Sequence, residues 1–411
     1  MAPTHPSDKR AEFNTYRRGK AIGAAAAILL VTLAAPGAEA QHHKGVISKY
    51  KYNEHVFPIL RDRCGGCHLE GGPAPMSLMT YDEAVPWAKS IEEQLVSEQM
   101  PPWYADPSGP AVRGGRPLTA KELDILLTWA AGGTPERIEP APTPPAAPGA
   151  SATAPPVFKG NVAQWRSGPP DLTVKMEADH ELPGGTLEEI FELTLPTALA
   201  TEKWVKAVDL LPGTPSMVRA AVISIENGPV LAAWVPGDDP APAPSGAAFR
   251  LPAGALLHLQ IRYRKHWRDE TEAKSDRSTV GLYFTDPPLS GRVLEALSLT
   301  PPEDASDSTS RRTFGGIFKT AGRVVAIRPS FDRAYASVTI DAVLPTGRRV
   351  RLLRLGAPQP RWYRRYWLAK PIELPKGTRV EVAAAPAMPD AAARAPVKWY
   401  PLRVDVDYVP Q

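Results

Sequence analysis

The sequence predicts a multidomain chain: a small all-α domain followed by two antiparallel, jelly-roll-like β-sandwiches. Three observations carry this. Between residues 50 and 131 apolar residues recur at helical spacing. Between Pro140 and Pro156 the chain is almost only Pro, Ala, Thr, Ser and Gly, the composition of a semi-stiff spacer. From about residue 158 onward short alternating segments are separated by turns, with no strand–helix alternation. A length of 411 residues exceeds one ordinary domain, and 43% hydrophobic content suffices for more than one core. The 47 prolines favour loops and linkers over long helices. The expected division is a signal segment at 1–40, the helical domain at 41–137, a linker at 138–157, and sandwiches at 158–305 and 306–411.

Cys64-Gly65-Gly66-Cys67-His68 organises the helical part. Cys-x-x-Cys-His is the attachment signature of c-type haem. Each thiol adds to one haem vinyl group, and the histidine is carried under the iron as the proximal ligand. The motif takes both cysteines of the chain. A structural zinc site would need a second ligand pair, and none follows. A dithiol redox motif belongs beside a βαβ pattern, which is not visible.

Lys9, Arg10, Arg17, Arg18 and Lys20 precede an apolar stretch over residues 21–34, and Ala38-Glu39-Ala40 is a small-x-small cleavage site. This predicts an export signal and a periplasmic or secreted chain. The apolar run is shorter than the roughly 20 residues of a membrane span, and an uncleaved anchor is the alternative. Export and c-type haem agree, because thioether attachment is normally completed outside the cytoplasm.

Residues 41–49 are a polar lead-in whose His42 and His43 have no scaffold to hold a metal. Tyr52, Val56, Ile59 and Leu60 predict a helix entering the haem site, kinked at Pro58. The Gly71–Pro75 loop must wrap the haem edge, with the carbonyl of Pro73 or Pro75 expected to take the second ring proton of His68. Thr80-Tyr81-Asp82-Glu83 is a capping box opening a helix to about Gln99, bent near Pro86. Met100, followed by Pro101-Pro102-Trp103, suits the distal iron ligand, with Met76 and Met79 as rivals. Thr119-Ala120-Lys121-Glu122 opens a further helix that ends at Gly132-Gly133. Three helices around one haem make a class I-type cytochrome c domain.

Glu189–Leu195, Leu257–Tyr263, Ser337–Ala342 and Leu402–Tyr408 alternate apolar and polar residues, as strands do. Charge is unevenly placed: residues 140–310 hold 14 Lys+Arg against 21 Asp+Glu, residues 311–411 hold 19 against 7. The basic end, densest at Arg361–Trp367, is a solvated face or a docking surface for an acidic partner. Export argues against nucleic acid.

His55-Val56-Phe57-Pro58-Ile59-Leu60, Cys64–His68, Ala74-Pro75-Met76-Ser77-Leu78, Pro86-Trp87-Ala88 and Met100-Pro101-Pro102-Trp103 resemble an exported monohaem cytochrome c. Glu202-Lys203-Trp204-Val205, Thr285-Asp286-Pro287-Pro288 and Leu374-Pro375-Lys376-Gly377-Thr378 resemble the copper type II, ascorbate-dependent monooxygenases, the peptidylglycine-hydroxylase-like double sandwich. That resemblance implies two copper sites, and this chain departs at both. Arg219 and Ala220 stand where it asks for a His-His pair, and Arg262 where it asks for a further histidine. Ser330 and Asp332 stand in the second site, and no methionine follows Met388. Copper needs imidazole or thioether ligands, and arginine stays charged. Past the linker only His180, His258 and His266 remain. His258 and His266 are eight residues apart, roughly 26 Å along an extended strand, too far to share one ion.

The predicted function is therefore electron transfer. A single covalent haem c, held by Cys64, Cys67, His68 and Met100, exchanges electrons with redox protein partners. The sandwich region is then a copper-free, non-catalytic scaffold or docking module. The alternatives are a haem-coupled copper-dependent monooxygenase and a structural subunit of a larger exported respiratory assembly.

Overall fold

Pro58 sits in the first turn of a three-residue helix α1 (Phe57–Ile59), with wider π-helical turns at Tyr52–Val56 and Leu60–Cys64 on either side. Helix α2 (Tyr81–Ala84) opens on a capping box. The Glu83 N–H donates to the Thr80 hydroxyl, and the Thr80 N–H donates to the Glu83 carboxylate. Pro86 then tightens the chain into a 3-10 turn before α3 (Ala88–Val96). Thr119 and Glu122 form a second capping box on α4 (Ala120–Ala131). Val56, Leu60, Met79, Leu126 and Trp129 are buried where these short pieces meet.

A computed structural model describes residues 47–115, 117–136, 164–288, 292–302, 311–387 and 400–411. The expected signal segment 1–40 and linker 138–157, together with His42, His43 and Met388, lie outside the described residues. Among the described residues no helix is long and apolar enough to cross a membrane.

Eighteen strands follow among the described residues. In the first half they are β1 (Leu172–Lys175), β2 (His180–Leu182), β3 (Glu188–Pro196), β4 (Lys203–Leu211), β5 (Val218–Ile225), β6 (Val230–Trp234), β7 (Phe249–Leu251), β8 (Leu256–Arg264), β9 (Lys274–Asp276) and β10 (Thr279–Thr285). The rest are β11 (Glu295–Leu299), β12 (Arg312–Ile317), β13 (Gly322–Ser330), β14 (Tyr335–Val343), β15 (Arg349–Gly356), β16 (Tyr366–Leu374), β17 (Arg379–Pro386) and β18 (Arg403–Pro410). Two antiparallel sheets, β1-β10-β4-β7 and β3-β8-β5-β6, enclose a core that includes Val205, Leu257, Ile261 and Leu282. Two more, β11-β18-β13-β16 and β12-β17-β14-β15, enclose Val324, Ile340, Leu355 and Val404. β11 pairs with β18, so the second pair of sheets claims the chain by Glu295 rather than 306.

The expected all-α class I-type cytochrome c domain followed by two sandwiches is corrected by this arrangement. Among the described residues β-strand is the dominant regular structure, the helices are only 3 to 12 residues long, and no all-α domain is evident. Residues Val46–Gln411 form one compact unit. The physical reason lies past Met100. Prolines 101, 102, 107 and 110 exclude helix, and the chain instead joins the β-structure. Ala105 bridges to Leu355 and Val112 to Leu368, while Tyr104 is buried in the second β core. Helical spacing reported these short pieces, which bury one another, while the segment between them after Met100 is buried by sheets.

Candidate functional site

Cys64 closes the π-helical turn, and the next residues fold back on it. The Cys67 and His68 N–H groups both donate to the Cys64 carbonyl, at 3.0 and 2.9 Å. The Leu78 N–H donates to the His68 carbonyl at 3.1 Å, which closes the loop and lays the Met76 carbonyl on the imidazole. His68 Nδ1–H donates to Met76 O at 3.3 Å, because a carbonyl can only accept. The expected acceptor, Pro73 or Pro75, is thus replaced by Met76. The Pro73 carbonyl instead takes the Nε2–H of His266 at 3.2 Å.

Burial pushes the His68 pKa down to about 4, against the opposing bond to Met76, so the ring is neutral at pH 7. Its Nε2 makes no hydrogen bond among the described residues. Burial pushes the Cys64 thiol up to about 12, with Cys67 adding to the shift. It pushes the Cys67 thiol up to about 11, with the Asp238 carboxylate adding. Both are protonated thiols at neutral pH, unlike the thiolates of dithiol redox motifs. Cys67 Sγ lies 3.4 Å from the Pro236 carbonyl, which ties the motif to the loop after β6.

Cys64, Cys67, His68 and Met100 line one cavity of about 370 Å³ between the helical segment and the first pair of sheets. Its volume is that of a small-molecule or cofactor site. Met76 and Met79 are not among its lining residues. Met79 is buried in the helical core, and the Met76 side chain packs on it. Pro75, Pro101 and Trp362 supply apolar wall, and Arg219, Arg264 and Arg361 supply cationic wall. A second cavity of about 370 Å³ opens on the thiols beside Trp234 and Asp238.

The positions compared with copper ligands fall in three places. Arg219 and Arg262 reach the cavity that the cysteines line. Arg262 is buried and its Nε donates to Glu188 at 2.8 Å. Ala220 is buried in β5. Ser330 donates to the Pro401 carbonyl at 2.8 Å, and Asp332 accepts from Tyr335 and Arg312 at 2.7 and 3.2 Å. His180 stacks on Phe191, and His258 faces Glu192 at 3.5 Å. Among the described residues no three His, Cys, Asp or Glu side chains group as metal ligands.

The residues fit a covalent haem. Two thiols, a neutral imidazole and a thioether share a cavity with apolar walls. The Nη1 of Arg219, a residue that lines the same cavity, is buried with no hydrogen-bond partner among the described residues. Sequence reasoning missed Asp238, Pro236 and Gly237, which carry no local signature and meet the motif only through the fold. His266 and Arg364 were visible as residue types, in the short histidine inventory and the basic-aromatic run, but their contacts with the Pro73 and Pro102 loops were not.

Comparison with known proteins adds little. No family model matches the chain. No curated protein matches it. Among solved structures, the major capsid protein P2 of bacteriophage PM2 is 10% identical, covering 58% of this chain and 96% of its own, with a TM-score of 0.28. Allantoicase is 11% identical, covering 54% of this chain and 77% of its own, with a TM-score of 0.18. Likeness at this level says nothing about what the chain does.

Proposed function

We propose that this chain carries one haem bound covalently through Cys64 and Cys67 and serves as a single-electron carrier for redox protein partners outside the cytoplasm. The observation that carries the reading is that Cys64, Cys67, His68 and Met100 line one cavity. His68 would offer Nε2 to the iron, since its Nδ1–H is committed to Met76. Met100 would offer its sulfur from the loop that Pro101 and Pro102 stiffen. The haem supplies an iron that takes up and returns one electron. The protein's own part is to keep the imidazole neutral and oriented, and to close the cavity with proline and tryptophan side chains.

The test is protein exported from a host with a c-type maturation system. One haem per chain should remain after denaturation and disappear in Cys64→Ala/Cys67→Ala. Oxidised protein should show the weak long-wavelength sulfur-to-iron band, lost in Met100→Ala. Protein matured in this way without covalent haem would sink the reading. A band that survives Met100→Ala and disappears in Met76→Ala would move the ligand to Met76.

A further inference from the structure

Arg219 sits at a fault in the sheet. β5 pairs with β8 in regular antiparallel register from Ala220 to Ile225, and the register shifts between Val218 and Ala220. The residue left over is Arg219, and a bulge of this kind re-aims a side chain. Here it turns the guanidinium into the cavity lined by the two thiols and His68. Its Nη1 is buried without a hydrogen bond among the described residues. A buried charged donor left in that state is expensive unless a ligand completes it.

Arg264, at the end of β8, and Arg361, in the loop before β16, line the same cavity. Among the described residues no carboxylate pairs with Arg219, Arg264 or Arg361. The neighbouring Arg262 is already engaged by Glu188, and its Nη1 donates to the Arg361 carbonyl at 3.2 Å, which holds that loop over the cavity. Three guanidinium groups without a direct ion pair among the described residues therefore line a space bounded on its other side by Cys64, Cys67 and His68, with Glu188 the carboxylate whose charge reaches Arg219. Guanidinium is the side chain suited to carboxylates, through paired parallel hydrogen bonds.

We propose that Arg219, Arg264 and Arg361 form the seat for the two propionate carboxylates of the haem, so that β5, β8 and the loop before β16 supply part of the cofactor's site. This rests on the covalent-haem reading above. The seat gives the β-structure a direct part in redox tuning. Fixed positive charge beside the haem favours the reduced iron, which carries one positive charge fewer. Burial, followed by repulsion from Arg264 and Arg262, lowers the Arg219 pKa to about 10 despite the opposing charge of Glu188.

The experiment uses full-length exported holoprotein. Covalent haem per chain is counted first, and chains without it refute the underlying reading rather than the seat. Midpoint potentials are then compared for wild type, Arg219→Gln, and the double variant Arg264→Gln/Arg361→Gln. Arg264 and Arg361 are exposed, so the double variant decides the matter if Arg219→Gln fails to fold. Each folded variant should hold its haem covalently but shift at least tenfold toward oxidised iron at fixed solution potential, 59 mV for one electron. An unchanged potential in the folded variants overturns the seat. A free dicarboxylate as the real occupant would instead show as a saturable dependence of the wild-type potential on added succinate, and that also overturns it.

Discussion

Arg364 holds Asp238 through two hydrogen bonds, Nε to Oδ2 at 2.6 Å and Nη2 to Oδ1 at 2.9 Å, and its Nη1 donates to the Pro102 carbonyl. One side chain from the second pair of sheets thus ties a loop of the first pair to the segment just after Met100. Its guanidinium lies 5.6 Å from the Trp103 ring centre and 5.8 Å from that of Trp362. The loop that presents Met100 is thus held from both sides, by the β-structure through Arg364 and by helix α3, whose Gln94 carbonyl takes the Met100 N–H at 3.2 Å.

Asp238→Ala should therefore loosen that loop. Removing one partner of a buried pair costs about 3–5 kcal/mol. Asp238 keeps 36% side-chain exposure, so solvent screening brings the expected loss to about 1–3 kcal/mol by urea unfolding. The sulfur-to-iron band should weaken in the same variant. Stability and band both equal to wild type would show that Arg364 does not latch the loop.

A second contact joins the Cys64–His68 segment to the β-structure at two glycines. A Cβ on Gly66 would lie 2.9 Å from the Gly237 Cα, and one on Gly237 would lie 3.1 Å from Cys67 Sγ at a φ of +82°. Left-handed backbone costs a side chain roughly 1–2 kcal/mol, and overpacking adds roughly 1–3. Gly71 has a similar φ of +72° with nothing within 4 Å. Gly237→Ala should thus lower the melting temperature more than Gly71→Ala. Equal losses would mean that the close approach to Cys67 carries no energy.

These contacts mark what the sequence could and could not convey. Both capping boxes are local, and adjacent residues suffice to recognise them, as they do the Cys-x-x-Cys-His spacing. The strand at 403–410 is local too, but its faces are not. Alternation reads Asp405 and Asp407 as solvent-facing, yet both are buried, because Arg328 and Arg365 meet them from neighbouring parts of the fold. The basic C-terminal run misleads in the same way. Arg364 and Arg365 are structural ion-pair partners, so composition overstated the free charge available for docking. Asp238 is 126 residues from Arg364, and nothing in either neighbourhood anticipates the pair.

Glu122 supplies a pH-dependent contribution to stability. Burial pushes its carboxyl up, but the Thr119 N–H at 2.7 Å and the Arg63 guanidinium at 2.9 and 3.0 Å outweigh that and hold it below the usual carboxylate range. A depressed folded pKa means the unfolded chain binds the proton more readily. The stabilisation is therefore complete above the ordinary value of 4.5 and is lost as pH falls through the lower folded value. Glu122→Gln should cost about 1 kcal/mol at pH 7, a usual worth for a cap with a partly exposed ion pair. The difference from wild type should shrink as pH falls below 4.5. A difference that stays constant from pH 7 to pH 3 would remove the charge from the account.

The last prediction concerns the second pair of sheets, where charge is buried in a cluster. Arg328 Nη2 lies 3.0 Å from Asp405 and 3.8 Å from Asp407, and Arg365 Nε lies 2.8 Å from Asp407. All four side chains are at most 4% exposed. Asp405 also accepts from Ser298 at 2.6 Å and Arg403 at 2.8 Å. Removing the central cation leaves Asp405 with only Arg403 and Asp407 with only Arg365, two buried carboxylates short of the charge between them. Arg328→Met should therefore cost about 3–5 kcal/mol even though methionine fills much of the same space. The cost comes from stranded charge, not lost packing, so removing one of those charges should recover part of it. Arg328→Met/Asp405→Asn should be more stable than the sum of the two single losses implies, with a coupling of about 2 kcal/mol between neighbours. Urea unfolding of the four proteins measures this. Strict additivity would show that Arg328 is held by packing alone, and that its unpartnered Nε and Nη1 carry no electrostatic tension.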